Sequence, residues 1–83
     1  MFVRELRTDL SIFLKKHSIK KKFDKQIKIL VQNPRHPSLN TEILEPKKLK
    51  IYSFRIDKKY RVIFIFTDTD EIEIIDINDH YQY

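Results

Sequence analysis

Arg55, Arg61, His80, Tyr81 and Tyr83 are the side chains of this sequence best suited to chemistry on a phosphodiester. Arginine stays charged and grips phosphate oxygens through paired N–H donors. Imidazole titrates near neutrality and passes protons either way. Tyrosine donates a hydrogen bond, stacks on a base or acts as a weak acid. These groups suffice for RNA cleavage without a metal. The ribose 2′-OH attacks the adjacent phosphate while a base removes its proton. Cations stabilise the dianionic transition state, and an acid protonates the leaving 5′ oxygen. The plainer reading is that His80 lies on the surface, the tyrosines anchor the C-terminus by packing, and both arginines extend into water beside Asp57 and Glu73.

Strand alternation places the two arginines. Tyr52, Phe54 and Ile56 alternate with Ser53, Arg55 and Asp57, and Tyr60, Val62, Phe64 and Phe66 alternate with Arg61, Ile63 and Ile65. Each run thus has one aromatic-aliphatic face, which should meet the helices. For both to share that face, Ile56 must lie opposite Tyr60 across the loop Asp57-Lys58-Lys59, since a slip by one residue turns a strand over. The same register sets Arg55 directly across from Arg61 on the other face. Like charges so placed are mildly destabilising, and an anion between them is a natural explanation. A third strand, Glu71 to Ile77, alternates at Ile72 and Ile74 and then shifts phase to Ile75 and Ile77. That shift marks either a β-bulge or a strand buried on both faces. Thr67-Asp68-Thr69-Asp70 is the turn before it.

The elements upstream must support this meander. Ile19, Phe23, Ile27, Leu30 and Val31 form one helical stripe, so the spacing predicts a helix over 19–32 with Ser18 as N-cap. Asn33-Pro34 ends it, because a residue before proline avoids the α region. Residues 2–17 read either as one helix, with Val3, Leu6, Leu10, Phe13, Leu14 and His17 on one face, or as a strand over 2–7 followed by a helix capped by Thr8 or Asp9 and running to Lys16. Asn33 to Pro46 holds all three prolines and reads as a loop, pinned to the core by Ile43 and Leu44. Lys47, Lys48 and Lys50 lead into the first strand of the meander.

Composition narrows the function. The 83 residues are expected to form one domain, 1–83, with a modest core. There is no cysteine, so disulfides and thiolate metal sites are excluded, and the three histidines lie too far apart for a zinc motif. There is no glycine, which excludes glycine-rich phosphate loops. No cofactor and no metal are expected. No apolar run approaches the roughly 20 residues of a membrane span, and no signal-peptide pattern opens the chain, so a cytoplasmic location and no membrane partner are expected. The net charge of +5 is uneven: 13 Lys/Arg against 5 Asp/Glu in residues 1–50, and 4 against 7 in residues 51–83. A basic front half favours a polyanionic partner, although a solvated lysine face on a helix is the plainer alternative.

The pieces NPRHPSL, YSFRIDKKYRVIF and IEIIDINDHYQY, in that order, resemble the RelE/ParE superfamily of toxins from type II toxin–antitoxin pairs. The resemblance covers roughly residues 8–83. It implies an α+β fold, two N-terminal helices packed on a small twisted antiparallel sheet, and it favours an extra strand at residues 2–7. Members of the RelE, YoeB and YafQ type are endoribonucleases that cut mRNA, commonly on the ribosome. Carried over by motif, Arg61 matches the strand arginine at the scissile phosphate, His80 a terminal catalytic histidine and Tyr83 the terminal aromatic. Arg55, Lys48 and Lys50 fit auxiliary phosphate-binding roles, and Tyr81 can replace Tyr83. Members that carry a second histidine or a glutamate on the middle strands use it as base. This sequence has neither there, and His36, in the loop, reads as structural, so His80 is the best single candidate. The resemblance also implies a cognate antitoxin and a toxin–antitoxin hetero-oligomer. Two other outcomes share the scaffold: a ParE-like protein that is no nuclease and binds and inhibits DNA gyrase, or an inactive member that only binds its antitoxin.

Overall fold

The computed structural model describes residues 1–79, and the candidate site residues His80, Tyr81 and Tyr83 lie outside them. Two helices, α1 (Thr8–Lys16) and α2 (Lys20–Gln32), cover one face of a five-stranded sheet. The strands are β1 (Phe2–Val3), β2 (Glu42–Ile43), β3 (Ile51–Arg55), β4 (Arg61–Asp68) and β5 (Glu71–Asn78), in the spatial order β1-β5-β4-β3-β2. No helix among the described residues is long and apolar enough to cross a membrane.

The core is the expected one. Leu10 and Leu14 of α1, with Ile19, Phe23 and Leu30 at α2, pack on Phe54, Ile56, Tyr60, Val62, Phe64, Ile72, Ile74 and Ile77. Val31, counted in the predicted stripe, lies at its edge and is largely exposed. Asn33 leaves α2 in an extended conformation ahead of Pro34, as predicted.

Ser18 does not cap α2; it ends α1. Its φ is 56°, in the left-handed region. Its N–H reaches Lys15 O at 3.2 Å, and the N–H of Ile19 reaches Leu14 O at 3.0 Å. This pair of bonds closes a helix C-terminus through a left-handed residue, with the next residue buried against the helix. Without glycine, serine fills the left-handed position, and Ile19 enters the core. The N-terminal ambiguity resolves as strand then helix. Arg7 occupies the cap position of α1, not Thr8 or Asp9, and binds the Asp9 carboxylate at 3.0 and 3.1 Å.

The sheet is mixed rather than purely antiparallel, because β1 runs parallel to β5, with Phe2 against Glu71 and Val3 against Ile72. The segment expected to be only a loop contains a 3₁₀ turn, Pro37–Leu39, and the edge strand β2, antiparallel to β3. Leu39, fully buried, is its chief anchor, ahead of the half-buried Ile43 and Leu44. Two-residue strands are too short to show alternation, so β1 and β2 leave no periodic signal.

The meander holds the predicted register. Arg55 is paired with Arg61, and the Ile56 N–H bonds Tyr60 O at 2.9 Å. The phase shift in β5 is a bulge: Ile63 faces Asp76 and Phe64 faces Ile74, so Ile75 is the extra residue, and Ile74 and Ile77 both reach the core.

Asp57 organises the β3–β4 turn. Its Oδ1 accepts from the Lys59 and Tyr60 N–H groups, each at 2.8 Å, and Lys22 Nζ of α2 lies 3.1 Å from Oδ2. Burial raises this carboxyl, but those backbone N–H groups and the Lys22 ammonium outweigh it, so it ionises below the usual carboxylate range. A lowered folded-state value means that the stabilisation is complete above the unfolded value, near pH 4, and is lost as pH falls through the folded value. Urea unfolding across that window is expected to show a larger loss of stability in the wild type than in Asp57→Asn. Equal acid slopes in the two proteins would remove Asp57 as the cause.

Candidate functional site

The paired arginines sit where β3 ends and β4 begins, on the sheet face away from the helices. They are not equivalent. Arg55 is exposed, whereas Arg61 is only 3 % exposed. Arg61 Nε donates to Ser53 Oγ at 2.9 Å, and Nη2 donates to Asn40 O at 2.6 Å and Ser53 O at 3.3 Å. The simple picture of two solvent-facing guanidiniums gripping one anion is therefore corrected. Arg61 is a buried cation whose orientation is fixed by protein oxygens, and Arg55 is the solvent-facing member of the pair.

Three elements meet to fix Arg61. β3 supplies Ser53, one pleat before Arg55 on the same face. The segment after the 3₁₀ turn supplies Asn40, whose φ of 45° turns the chain out of Pro37–Leu39. Strand β5 ends alongside, with Asn78 registered against Arg61. Asn78 is the last residue of β5 and lies two positions before His80 in the sequence. His36 is structural, as expected: its Nδ1 accepts from Ser38 N at 3.1 Å and caps the turn. A cleft of about 460 Å³, lined by Pro34, Arg35, His36, Pro37, Asn40 and Thr41, opens beside that turn.

Lys48 and Lys50 stand apart from the arginines. They belong to the 3₁₀ turn Lys47–Leu49 and its end, which feed the Ile51 end of β3. Arg55 is four residues further on, roughly 13 Å along a strand. The lysines are exposed. That separation suits a neighbouring part of an extended polyanion. Among the described residues no group of three or more His, Asp or Glu side chains is placed to hold a metal ion.

Gln26, Ser53 and Asn40 are the participants that sequence reasoning missed. Gln26 left a signal, a polar amide between Phe23 and Leu30 on the buried face of α2. Ser53 and Asn40 left none, because their importance depends on a contact with Arg61 that spans 8 residues in one case and 21 in the other.

The sequence model describing the ParE toxin of type II toxin–antitoxin systems matches residues 4–82. The chain belongs to this toxin family. A YoeB/ParE toxin from Agrobacterium tumefaciens superposes with a TM-score of 0.70 at 18% identity, covering 98% of this chain and 100% of that one. The YoeB–YefM toxin–antitoxin heterotetramer from Staphylococcus aureus contains a chain that superposes at 0.68 and 19% identity, covering 96% and 94%. YafQ from E. coli strain BL21(DE3) gives 0.68 at 13% identity, covering 95% and 90%. At such identities the likeness is one of fold: two helices on the mixed sheet, including the N-terminal strand. No curated protein sequence matches the chain significantly.

Proposed function

We propose that this type II toxin is a metal-independent endoribonuclease that cleaves mRNA on the ribosome. The observation that supports the proposal is the Arg55/Arg61 pair on one sheet face, with Arg55 exposed and Arg61 fixed on Ser53 and Asn40 opposite Asn78 of β5. The buried Arg61 adds a preorganised positive charge beside a phosphate held by Arg55, which favours a developing phosphorane dianion. Arg55, opposite and exposed, meets the RNA backbone first, and Lys48 and Lys50 hold a more distant phosphate. His80 acts as the proton-transfer group, and Tyr83, or Tyr81 in its place, stacks on or orients a base. The chain works in the cytoplasm without a cofactor.

The partner in this proposal is a cognate antitoxin, by analogy with the YoeB–YefM assembly of Staphylococcus aureus. An acidic, partly disordered segment complements Lys20, Lys21, Lys22, Lys25 and Lys28 of α2 and neutralises the toxin as a hetero-oligomer.

One observation favours a second reading. The matching family is that of ParE, so a toxin that binds and inhibits DNA gyrase without cutting RNA fits the same scaffold. Brief induction in cells, followed by mapping of RNA 5′ ends, separates the two. Wild-type induction is expected to generate new mRNA ends, and His80→Ala is expected to reduce them on the order of 10²-fold. Growth arrest with intact mRNA and a DNA-damage response would replace the nuclease with the gyrase inhibitor.

A further inference from the structure

Gln26 is 6 % exposed, yet it is an amide on the buried face of α2. Its Nε2 donates to Arg55 O at 2.7 Å and to Ser38 O at 3.1 Å. An amide nitrogen has two N–H donors, and both are used. The two acceptors lead to the two arginines. Arg55 O belongs to the residue that carries the exposed guanidinium. Ser38 opens the short stretch Ser38–Asn40, and at its other end Asn40 O accepts from Arg61 Nη2 at 2.6 Å. Leu39, between them, is fully buried. The stretch is therefore held from the helix by Gln26 and from the sheet by Arg61.

We propose that Gln26 is a positioning residue for the arginine pair. It fixes the end of β3 at Arg55 directly, and it fixes Arg61 through the Ser38–Asn40 strut. A helix amide thus sets the spacing of two cations on the opposite face of the sheet. Its consequence for cleavage rests on the nuclease reading; the bracket itself does not.

The test compares the full chain with Gln26→Met, which keeps the side-chain length and removes both donors. Two measurements are made: single-turnover cleavage of mRNA on programmed ribosomes as a function of toxin concentration, and the NMR signal and solvent exchange of the Arg61 Nε–H group. The expected result is a cleavage rate constant lower on the order of tenfold, with the half-saturating concentration changed by less than about twofold. The Arg61 Nε–H should shift and exchange on the order of tenfold faster. A folded Gln26→Met protein with the wild-type Arg61 signal and wild-type exchange overturns the proposal. Wild-type protein that cuts no mRNA overturns the nuclease reading instead, and the Arg61 signal alone then decides on the bracket. If Gln26→Met does not fold, Gln26→Asn serves. Its shorter amide reaches at most one of the two carbonyls, so an Arg61 signal between wild type and free arginine supports the bracket, and an unchanged one overturns it.

Discussion

Arg61→Ala is expected to lower the stability of the folded chain by about 3 kcal/mol or more. The side chain is buried, and its removal takes the donor away from Asn40 O and Ser53 Oγ. A buried acceptor left without its donor costs about 1–3 kcal/mol, and the vacated volume adds to that. A chain of this length has a total stability of about 4–12 kcal/mol, so the variant sits near the edge of folding. Urea titration followed by circular dichroism checks this, and a loss below about 0.5 kcal/mol would refute the description of Arg61 as a structural cation. The consequence for function is practical. Loss of toxicity in Arg61→Ala reports on folding as much as on phosphate contact. Arg55→Ala separates the two, because Arg55 is exposed and its removal is expected to weaken RNA contact with little change in stability.

Phe54→Ala is expected to cost about 3–5 kcal/mol. Phe54 is completely buried, and its ring packs against that of Phe64, with centroids 5.7 Å apart. It also lies between Ser53 and Arg55, so the strand that carries both groups on one face is anchored by this ring on the other. Phe54→Leu keeps most of the volume and should cost less than about 1.5 kcal/mol. Thermal melts of the two variants are the check. Similar melting temperatures for both would mean that the core repacks freely around this position.

Several features were legible without coordinates because their cause is local. Alternation in two adjacent runs, plus a three-residue connection, was enough to pair Arg55 with Arg61. The phase shift in the last strand allowed either a bulge or a strand buried on both faces, and the structure shows the bulge, at Ile75. The apolar stripe and Asn33-Pro34 bounded α2. The failures have local explanations too. Ser18 has the side chain of a cap for the helix after it, yet in a glycine-free chain it closes the helix before it. Lys48 and Lys50, expected as auxiliary phosphate contacts, lie at the opposite end of β3 from Arg55, a separation set by the strand's length.

By itself the sequence determined which residues alternate, which face each strand turns to the helices, and hence that two arginines stand opposite each other. Periodicity and turn length are short-range properties, and they carry that information in full. Only the tertiary structure decided that one arginine is buried and the other exposed. Arg61 is held by the carbonyl of Asn40, 21 residues away, and the Arg55 carbonyl by the amide of Gln26, 29 residues away. The parallel pairing of Phe2–Val3 with the far end of the chain is of the same kind. Burial and hydrogen-bond partnership across such separations depend on how packed elements dock, and no repeating pattern along the chain records it.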